Sequence, residues 1–173
     1  MLKGEKIFLR QLESSDVSTL LLWENNPSNW RVSETEAPFS LQQMHSYIDN
    51  ASEIRKNKQL RLLICEISSG DPVGAVDLFD ISFKHRRAGI GILIADSAQR
   101  GKGFAKESLN IITKYSGEVL ELSQLHCLIQ DDNSNSISLF EKQGFIKMGE
   151  KKNWYFFKGE PIDAYFYQKF LNK

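Results

Sequence analysis

A short run of glycines and cations is the part of this sequence whose spacing most directly suggests binding chemistry. The run reads Arg100, Gly101, Lys102, Gly103, Phe104, Ala105. Glycines let the backbone turn sharply and bring successive N–H groups toward a ligand, because no Cβ stands in the way. A helix that begins directly behind them adds unpaired N–H donors and the positive end of its dipole. The R-x-x-G-x-A pattern therefore fits a pyrophosphate, although a basic, glycine-rich surface turn fits these six positions equally well.

Two other phosphate-binding motifs do not match. A P-loop places Lys and then Ser or Thr after its last glycine, whereas here Lys102 precedes Gly103 and no hydroxyl follows. The dinucleotide fingerprint needs three glycines at a strand-to-helix turn. Gly89 and Gly91 lack the third glycine, because Ile94 stands in its place, and they lie within a predicted strand. The sequence therefore disfavours a nucleoside triphosphatase and a Rossmann-type dehydrogenase.

The elements around this run form an irregular succession of strands and helices. Apolar residues recurring with periods of 2 and 3.6 predict the order β-αα-βββ-α-β-α-ββ. This order indicates an α/β mixture with a largely antiparallel front half, not a doubly wound sheet. The first helix is predicted to stop at Asn26-Pro27, and Ser40 is predicted to be the N-cap of the second. The third helix should start at Phe104, and the fourth should run over Ser134–Gln143 with Gly144 as its C-cap. A turn at 158–161 should separate the last two strands.

Composition restricts the class of protein. The chain has 173 residues, 41% of them hydrophobic, and a formal net charge of zero from 22 basic and 22 acidic residues. We expect one domain over residues 1–173, and the balanced charge argues against a nucleic-acid partner. No segment resembles a signal peptide or a membrane span, and Cys65 and Cys127 lie in apolar runs typical of buried free thiols. A cytoplasmic protein without a membrane partner is expected, and without a catalytic metal, since no ligand cluster is evident.

Three segments, in order along the chain, resemble the GNAT superfamily of acetyl-CoA-dependent N-acetyltransferases. They are residues 9–16 (LRQLESSD), 89–109 (GIGILIADSAQRGKGFAKESL) and 131–145 (DDNSNSISLFEKQGF). More narrowly, the chain is similar to the branch that holds ribosomal-protein N-terminal acetyltransferases and spermidine N-acetyltransferase. The resemblance covers nearly the whole length. It implies a central mixed, mostly antiparallel twisted sheet of about seven strands flanked by four helices.

The resemblance also implies a site for acetyl-CoA as co-substrate. Backbone groups of three strand residues would pair with the pantetheine arm, and an N–H of one would polarise the thioester carbonyl: Leu93, Ile94 and Ala95. The run from Arg100 to Ala105 would hold the pyrophosphate. Asn133 would bond the pantetheine, and Ser136 and Phe140 on the next helix would flank the cofactor. Taken alone, Asn133 is typical of a helix cap.

The sequence departs from this family pattern at the positions of the acid and the base. Phe140 occupies the place of the usual general-acid Tyr and has no proton to donate. Gly89 stands near the start of the fourth strand, where many relatives carry a carboxylate. Coenzyme A is a fairly good leaving group because a thiol has a pKa of ~8.5, so water or Ser138 could serve instead. An acyl-CoA-binding module that has lost catalysis remains an alternative.

The acceptor amine sets a further demand. At pH 7 a primary alkylamine of pKa ~10.4 costs ~4.6 kcal/mol to deprotonate, against about 1–1.4 kcal/mol for an α-amino group. A polyamine therefore needs an acidic pocket and a base more than a protein N-terminus does. Glu34, Glu36, Asp77 and Asp80 are the candidate substrate-binding acids, and Glu36 and Asp80 the candidate catalytic ones, although each alone is typical of a solvated surface. Asp77 and Asp80 lie three apart on a strand, so they face opposite sides unless a bulge intervenes.

These observations favour acetyl transfer from acetyl-CoA to a polyamine such as spermidine or spermine, by direct attack in a ternary complex. Segments 25–38 and 77–92 are similar to the spermidine-acetylating members of the branch. Acetylation of a protein N-terminal amine or of another small amine, such as an aminoglycoside, is the alternative. The polyamine relatives also suggest assembly into a homo-oligomer.

Overall fold

The computed structural model describes residues 2–33 and 35–171, and within them it contains seven strands and six α-helices. The strands are β1 (Ile7–Arg10), β2 (Leu60–Glu66), β3 (Pro72–Ser82), β4 (Arg87–Ile94), β5 (Gln124–Gln130), β6 (Ile146–Phe157) and β7 (Glu160–Phe170). The helices are α1 (Val17–Glu24), α2 (Pro27–Ser33), α3 (Leu41–Asn50), α4 (Ile54–Asn57), α5 (Phe104–Glu118) and α6 (Ser134–Lys142).

All seven strands join one mixed sheet. Their spatial order is β1-β2-β3-β4-β5-β7-β6, and each neighbouring pair is antiparallel except β4 with β5. The α5 helix connects the one parallel pair, as a parallel connection requires a crossover. The predicted α/β sheet of about seven mostly antiparallel strands is confirmed.

The parallel pair separates soon after it begins. Cα partners link β4 and β5 only from Arg87 with Gln124 to Gly89 with His126. Both strands continue beyond this point, β4 to Ile94 and β5 to Gln130. The sheet therefore opens into a V-shaped cleft whose two edges are the second half of β4 and the second half of β5.

Helices cover both faces of the sheet. On one face, Leu20 of α1 and Met44 of α3 pack against Leu63 of β2. On the opposite face, Leu109 of α5 and Phe140 of α6 join the larger core. Neighbouring β2 residues divide between the two cores because successive strand side chains point to opposite faces.

The helix boundaries agree with the capping signals, with two additions. The Ser40 hydroxyl accepts the Gln43 N–H, and the Gln43 side chain accepts the Ser40 N–H, so a capping box opens α3. The first helix ends before Asn26-Pro27 as predicted, but Pro27 then begins α2, because proline is well suited to a first helical position. The short helices α2 and α4 are additional to the four helices expected.

The final hairpin is longer and its turn tighter than predicted. Lys158 and Gly159 have φ values of 52° and 85°, the pattern of a two-residue turn that matches strand twist. The preceding strand begins at Ile146, well before the aromatic run from which it was predicted. As the last strand of the sheet, β6 leaves several large apolar side chains exposed: Ile146, Met148, Trp154, Phe156 and Phe157.

The two cysteines are buried free thiols, as expected. Burial raises the pKa of the Cys127 thiol to about 12. That thiol therefore stays protonated near neutral pH and is not a nucleophile, since reactivity needs the thiolate.

Candidate active site

Two adjoining cavities occupy the cleft between β4 and β5. The larger has a volume of about 640 Å³ and the smaller about 110 Å³. They share six lining residues, so they form one continuous space: Val32, Ile90, Gly91, Ile92, Leu128 and Tyr155. An extended ligand could therefore lie along the cleft, with a second molecule meeting it in the larger cavity.

The exposed edge of β4 offers backbone groups to such a ligand. The Ala95 N–H donates to the Val73 carbonyl at 3.1 Å, so it is used within the sheet. Because N–H directions alternate along a strand, Leu93 also points its N–H toward β3, while Ile92 and Ile94 point theirs into the cleft. Of the three predicted backbone contacts, Ile94 is the one whose N–H faces the cleft. Ile92, which was not among the predicted contacts, is the second residue of β4 whose N–H faces the cleft.

The glycine-rich run folds as a tight loop between β4 and α5. Gly101 and Gly103 have φ values of 78° and 90°, in the left-handed region that favours glycine. Gly103 is the N-cap of α5 and has no side chain to cap it. The first-turn N–H groups are therefore open toward an anion.

Three cations surround this loop, one of them unexpected. The Lys6 Nζ donates to the Lys102 carbonyl at 3.2 Å, which places the start of β1 beside the loop. The Lys102 Nζ donates to the Gln99 side chain at 2.5 Å, and Arg100 Nε donates to the Ile94 carbonyl at 3.2 Å. Arg100 is thus directed at the β4 edge, while Lys6 and Lys102 flank the glycines. Lys6 lies too far away in the sequence for the R-x-x-G-x-A pattern to reveal it.

The smaller cavity brings the predicted α6 residues together. Asn133, Ser136 and Phe140 all line it. Asn133 also acts as the N-cap of α6, since its Oδ1 accepts the Ser136 N–H at 3.2 Å. Phe140 is 4% exposed and packs edge-on against Phe145, with ring centroids 5.0 Å apart. The ring at position 140 is therefore a packed wall of the cleft.

A different aromatic residue could replace the missing acid. Ser138 lines neither of the two cavities, whereas Tyr155 of β6 lines both. Within the described residues it is the one tyrosine in the lining of this cleft. Tyr155 carries no local sequence signal for this site, because β6 reaches the cleft only through its pairing with β7.

Asp77 and Asp80 both line the larger cavity. The alternation of β3 by itself would place Asp80 beside the buried Leu78, on the other face. A register shift after Phe79 and a φ of 48° at Asp80 form a bulge at this point. The extra residue turns Asp80 to the face of Asp77, so the exception anticipated for a bulge applies.

Asp77 is already engaged in a partly buried ion-pair triad. Arg61 of β2 donates to Asp77 and to Glu24 of α1, each at 2.6 Å. The three side chains are between 11% and 19% exposed. Burial opposes the Arg61 charge, but Asp77, Tyr47 and Glu24 outweigh it and raise the Arg61 pKa. Glu24 was not predicted, because α1 approaches the strand only in the folded chain.

The other two candidate acids are placed differently. Glu36 is an exposed residue after α2, and it does not line either cavity of the described cleft. Glu34 lies outside the described residues.

Aromatic rings and one imidazole complete the larger cavity. Trp23, Phe79, Trp154 and Phe166 line its walls. His126, where β4 and β5 separate, has its ring 5.7 Å from that of Phe166 and tilted by 39°. Burial, assisted by Arg87 and opposed by Asp80, lowers the His126 pKa below its ordinary value. His126 was not among the predicted site residues. The alternation of β5 places it on the face opposite the buried Leu125 and Cys127.

Neither a metal centre nor a membrane-spanning helix is found in the part of the chain that the structure describes. No three of its His, Cys, Asp and Glu side chains cluster closely enough to hold a metal ion. None of its helices combines the length and apolarity needed to cross a bilayer.

An open strand edge, a glycine loop at a helix N-terminus and an acid-lined cavity beside them define the class of acyl-CoA-dependent acyltransferases. The chain belongs to the Acetyltransferase (GNAT) domain family, whose profile matches residues 6–146. It is an acyltransferase that uses acetyl-CoA as co-substrate.

The similarity to known proteins covers nearly the whole chain. Spermidine N(1)-acetyltransferase of Vibrio cholerae is 29% identical over 177 residues, covering 98% of each chain. The enzyme of the same name from Escherichia coli K12 is 28% identical, covering 95% of this chain and 86% of its own. Among solved structures, spermidine N-acetyltransferase from Vibrio cholerae in complex with CoA and spermine superposes with a TM-score of 0.86, at 25% identity and 97% coverage of each chain. A dodecameric structure of that enzyme in an intermediate state superposes with a TM-score of 0.81, at 26% identity and with 97% and 95% coverage.

Proposed function

We propose that this protein transfers the acetyl group of acetyl-CoA to a primary amine of a polyamine such as spermidine or spermine. The observation that carries the proposal is the larger cavity, where Asp80 and the Glu24–Arg61–Asp77 triad lie beside the open β4 edge. Similarity to the two spermidine N(1)-acetyltransferases over 98% and 95% of this chain supports the same acceptor.

The cleft supports direct attack in a ternary complex. The pantetheine arm would pair with β4 at Ile92 and Ile94, and the pyrophosphate would lie on the N–H groups at Gly101 and Gly103. One of the two cleft-facing N–H groups would donate to the thioester oxygen as negative charge develops there. The amine would approach from the larger cavity. It would form the C–N bond first, and the C–S bond would then break as coenzyme A leaves.

The lining of the larger cavity suits a flexible cation. Three carboxylates line it, from Glu24, Asp77 and Asp80, against the cations of Arg61 and Lys151. A protonated nitrogen gains from a carboxylate and from the face of an aromatic ring, and the alkyl spacers gain from apolar contact with the same rings. Trp154 already holds the Lys151 ammonium 3.7 Å from its ring centroid, which shows that the wall accepts an ammonium.

The test is release of free coenzyme A thiol from acetyl-CoA across a panel of amines, with product masses checked. The panel holds spermidine, spermine, an aminoglycoside and a peptide with a free N-terminus. We expect kcat/KM for spermidine or spermine to exceed that for the peptide about tenfold or more, because one charge-assisted hydrogen bond contributes ~1.5–3 kcal/mol.

Each other outcome has a distinct meaning. Turnover of the peptide alone would replace the polyamine with a protein N-terminus. Turnover of the aminoglycoside alone would point to another small amine. Silence with every amine, while acetyl-CoA still raises the melting temperature, would contradict the enzyme and favour an acyl-CoA-binding module. The departures at Gly89 and Phe140 make that last result worth testing directly.

We also propose that the chain folds as a single domain and that it self-associates into a homo-oligomer. One sheet holds strands from Ile7 to Phe170, which supports a single domain. The β6 edge exposes 60% of Ile146 and 70% of Phe156, and apolar patches of this kind mark protein interfaces. The dodecameric Vibrio cholerae neighbour agrees with assembly. Sedimentation of the wild-type chain beside a Phe156→Lys variant tests this, since a monomeric wild type would contradict it.

We also propose that the protein is cytoplasmic. Buried free thiols at Cys65 and Cys127 agree with a reducing environment. The cytoplasm fits both this environment and the supply of acetyl-CoA.

A further inference from the structure

The structure explains why the usual strand carboxylate is absent and what occupies its place. A Cβ added to Gly89 would overlap the Phe79 ring, because Phe79 lies directly across the β3–β4 ladder. Any longer side chain at position 89 would displace that ring from the cavity wall. A catalytic base in this chain must therefore come from another element.

Most carboxylates of the larger cavity are poorly placed to act as that base. Glu24 and Asp77 each accept a hydrogen bond from Arg61 at 2.6 Å. Taking up a proton would break a partly buried ion pair and leave Arg61 short of negative charge. Asp80 is the remaining carboxylate, and His126 the imidazole, among the described residues that line this cavity.

His126 stands at the position opposite the missing carboxylate. Its Cα partner across the parallel ladder is Gly89 itself, at the last paired step before the strands separate. The imidazole is half-buried, lines the cavity, and is oriented by its contact with Phe166. No hydrogen bond within the described residues engages its ring nitrogens, so one of them is free to receive a proton.

We propose that His126 is the catalytic base that takes the proton from the attacking amine. The inference rests on the proposed acetyl transfer. The bound ammonium gives a proton to the imidazole, and the neutral nitrogen attacks the thioester carbonyl and forms the C–N bond. The adduct nitrogen then loses its second proton to the solvent, and the C–S bond breaks as the tetrahedral intermediate collapses to the amide. The coenzyme A thiolate takes a proton from the solvent, directly or through a cleft hydroxyl. The imidazolium returns its proton to solvent.

The surrounding charges suit this role. Asp80 of β3 stabilises the imidazolium once it forms, while Arg87 of β4 and burial favour the neutral ring beforehand. The β7 neighbour Phe166 carries no charge, and β6 contributes Lys151 and Tyr155 to the same cavity. Imidazole is also the side chain whose ordinary pKa lies closest to neutral pH, which is where a base is most effective.

The pH dependence of kcat/KM with spermidine separates this proposal from a purely structural role. In the wild type, the His126 pKa lies below its ordinary value, so activity falls only as the pH drops through that pKa. At pH values above the His126 pKa, kcat/KM stays level until the amine substrate itself deprotonates, at its pKa of ~10.4. In His126→Asn and His126→Gln, only amine already neutral in solution reacts. Their kcat/KM should lie about 100- to 1,000-fold below wild type at pH 7 and rise roughly tenfold per pH unit.

Calorimetry, a control variant and an NMR titration complement the rate measurements. Both variants should keep wild-type affinity for acetyl-CoA by calorimetry, because His126 lies away from the glycine loop. His85→Asn, at an exposed histidine of the β3–β4 loop, is the matched control and should keep the wild-type profile. NMR titration of the wild-type imidazoles should find a His126 midpoint that coincides with the acid limb of kcat/KM.

The outcomes divide cleanly. A wild type that acetylates no amine of the panel overturns the proposed function and this inference with it. An active wild type overturns the inference alone if the variants lose less than threefold, or lose activity by a constant factor at every pH. A His126 midpoint that does not match the acid limb also overturns it, even if both variants fail to fold.

Discussion

Replacing Arg61 with alanine is expected to lower the free energy of unfolding by about 3–5 kcal/mol. Arg61 is the only cation between Glu24 and Asp77 in the described ion-pair triad, with both contacts at 2.6 Å and little solvent access. Its removal leaves two carboxylates facing each other in a largely buried site. The penalty comes from those uncompensated charges, more than from the loss of the guanidinium.

Thermal and denaturant unfolding measure this effect. For a chain of this size, each kcal/mol corresponds to about 2–4 °C, so the melting temperature should fall by roughly 6–20 °C. Arg55→Ala is the matched control, since Arg55 is exposed and its guanidinium lies 4.3 Å from the Phe83 ring centroid, outside the triad. It should change stability by about 0.5–1 kcal/mol at most.

A triple variant identifies the cause. Arg61→Met, combined with Glu24→Gln and Asp77→Asn, removes all three charges together. It should recover much of the stability lost in Arg61→Ala, because breaking a buried pair costs far more than replacing it whole. If Arg61→Ala is no less stable than Arg55→Ala, the triad does not stabilise the fold as described.

Replacing Gly101 with valine is expected to weaken acetyl-CoA binding about 5- to 150-fold, which corresponds to ~1–3 kcal/mol of backbone strain. Gly101 has a φ of 78°, a conformation that a β-branched residue rarely adopts. A valine there would change the direction of the loop N–H groups. Its side chain itself meets no heavy atom within 4 Å of the Cβ, so a steric clash is not the cause.

The chain contains a close control for this variant. Gly70, in the β2–β3 turn, has a φ of 79° and an equally open Cβ position. Gly70→Val therefore carries the same backbone strain away from the cleft. Calorimetry should show wild-type affinity for acetyl-CoA in Gly70→Val and reduced affinity in Gly101→Val, at similar melting temperatures. Equal affinity in the two variants would show that the loop does not hold the pyrophosphate.

The features that could be predicted from sequence depend on neighbouring residues. The capping box at Ser40 and Gln43 and the glycine after α6 are local, because each rests on contacts within a few residues. The same holds for the left-handed glycines of the loop. The buried thiols followed from apolar runs. Asn133, Ser136 and Phe140, which the family resemblance assigns to the cofactor, line one cavity, and their contact with coenzyme A stays a prediction.

The features that could not be predicted depend on residues far apart in the chain. Strand alternation separated Asp77 from Asp80, and only a bulge opposite β4 brought them to one face. Glu24 and Arg61 are 37 residues apart and meet because α1 packs on β2. Lys6, His126 and Tyr155 show no local signal of a shared cleft.

From the sequence alone came the class of fold, the order of its elements and the loop suited to a pyrophosphate, because hydrophobic period, caps and glycine positions are encoded residue by residue. The tertiary structure decided which acids line the acceptor cavity, which of them Arg61 neutralises, and which imidazole stands opposite Gly89. Those properties arise where β4 and β5 separate and where β3 bulges. They depend on packing between strands, and no window of neighbouring residues contains that information.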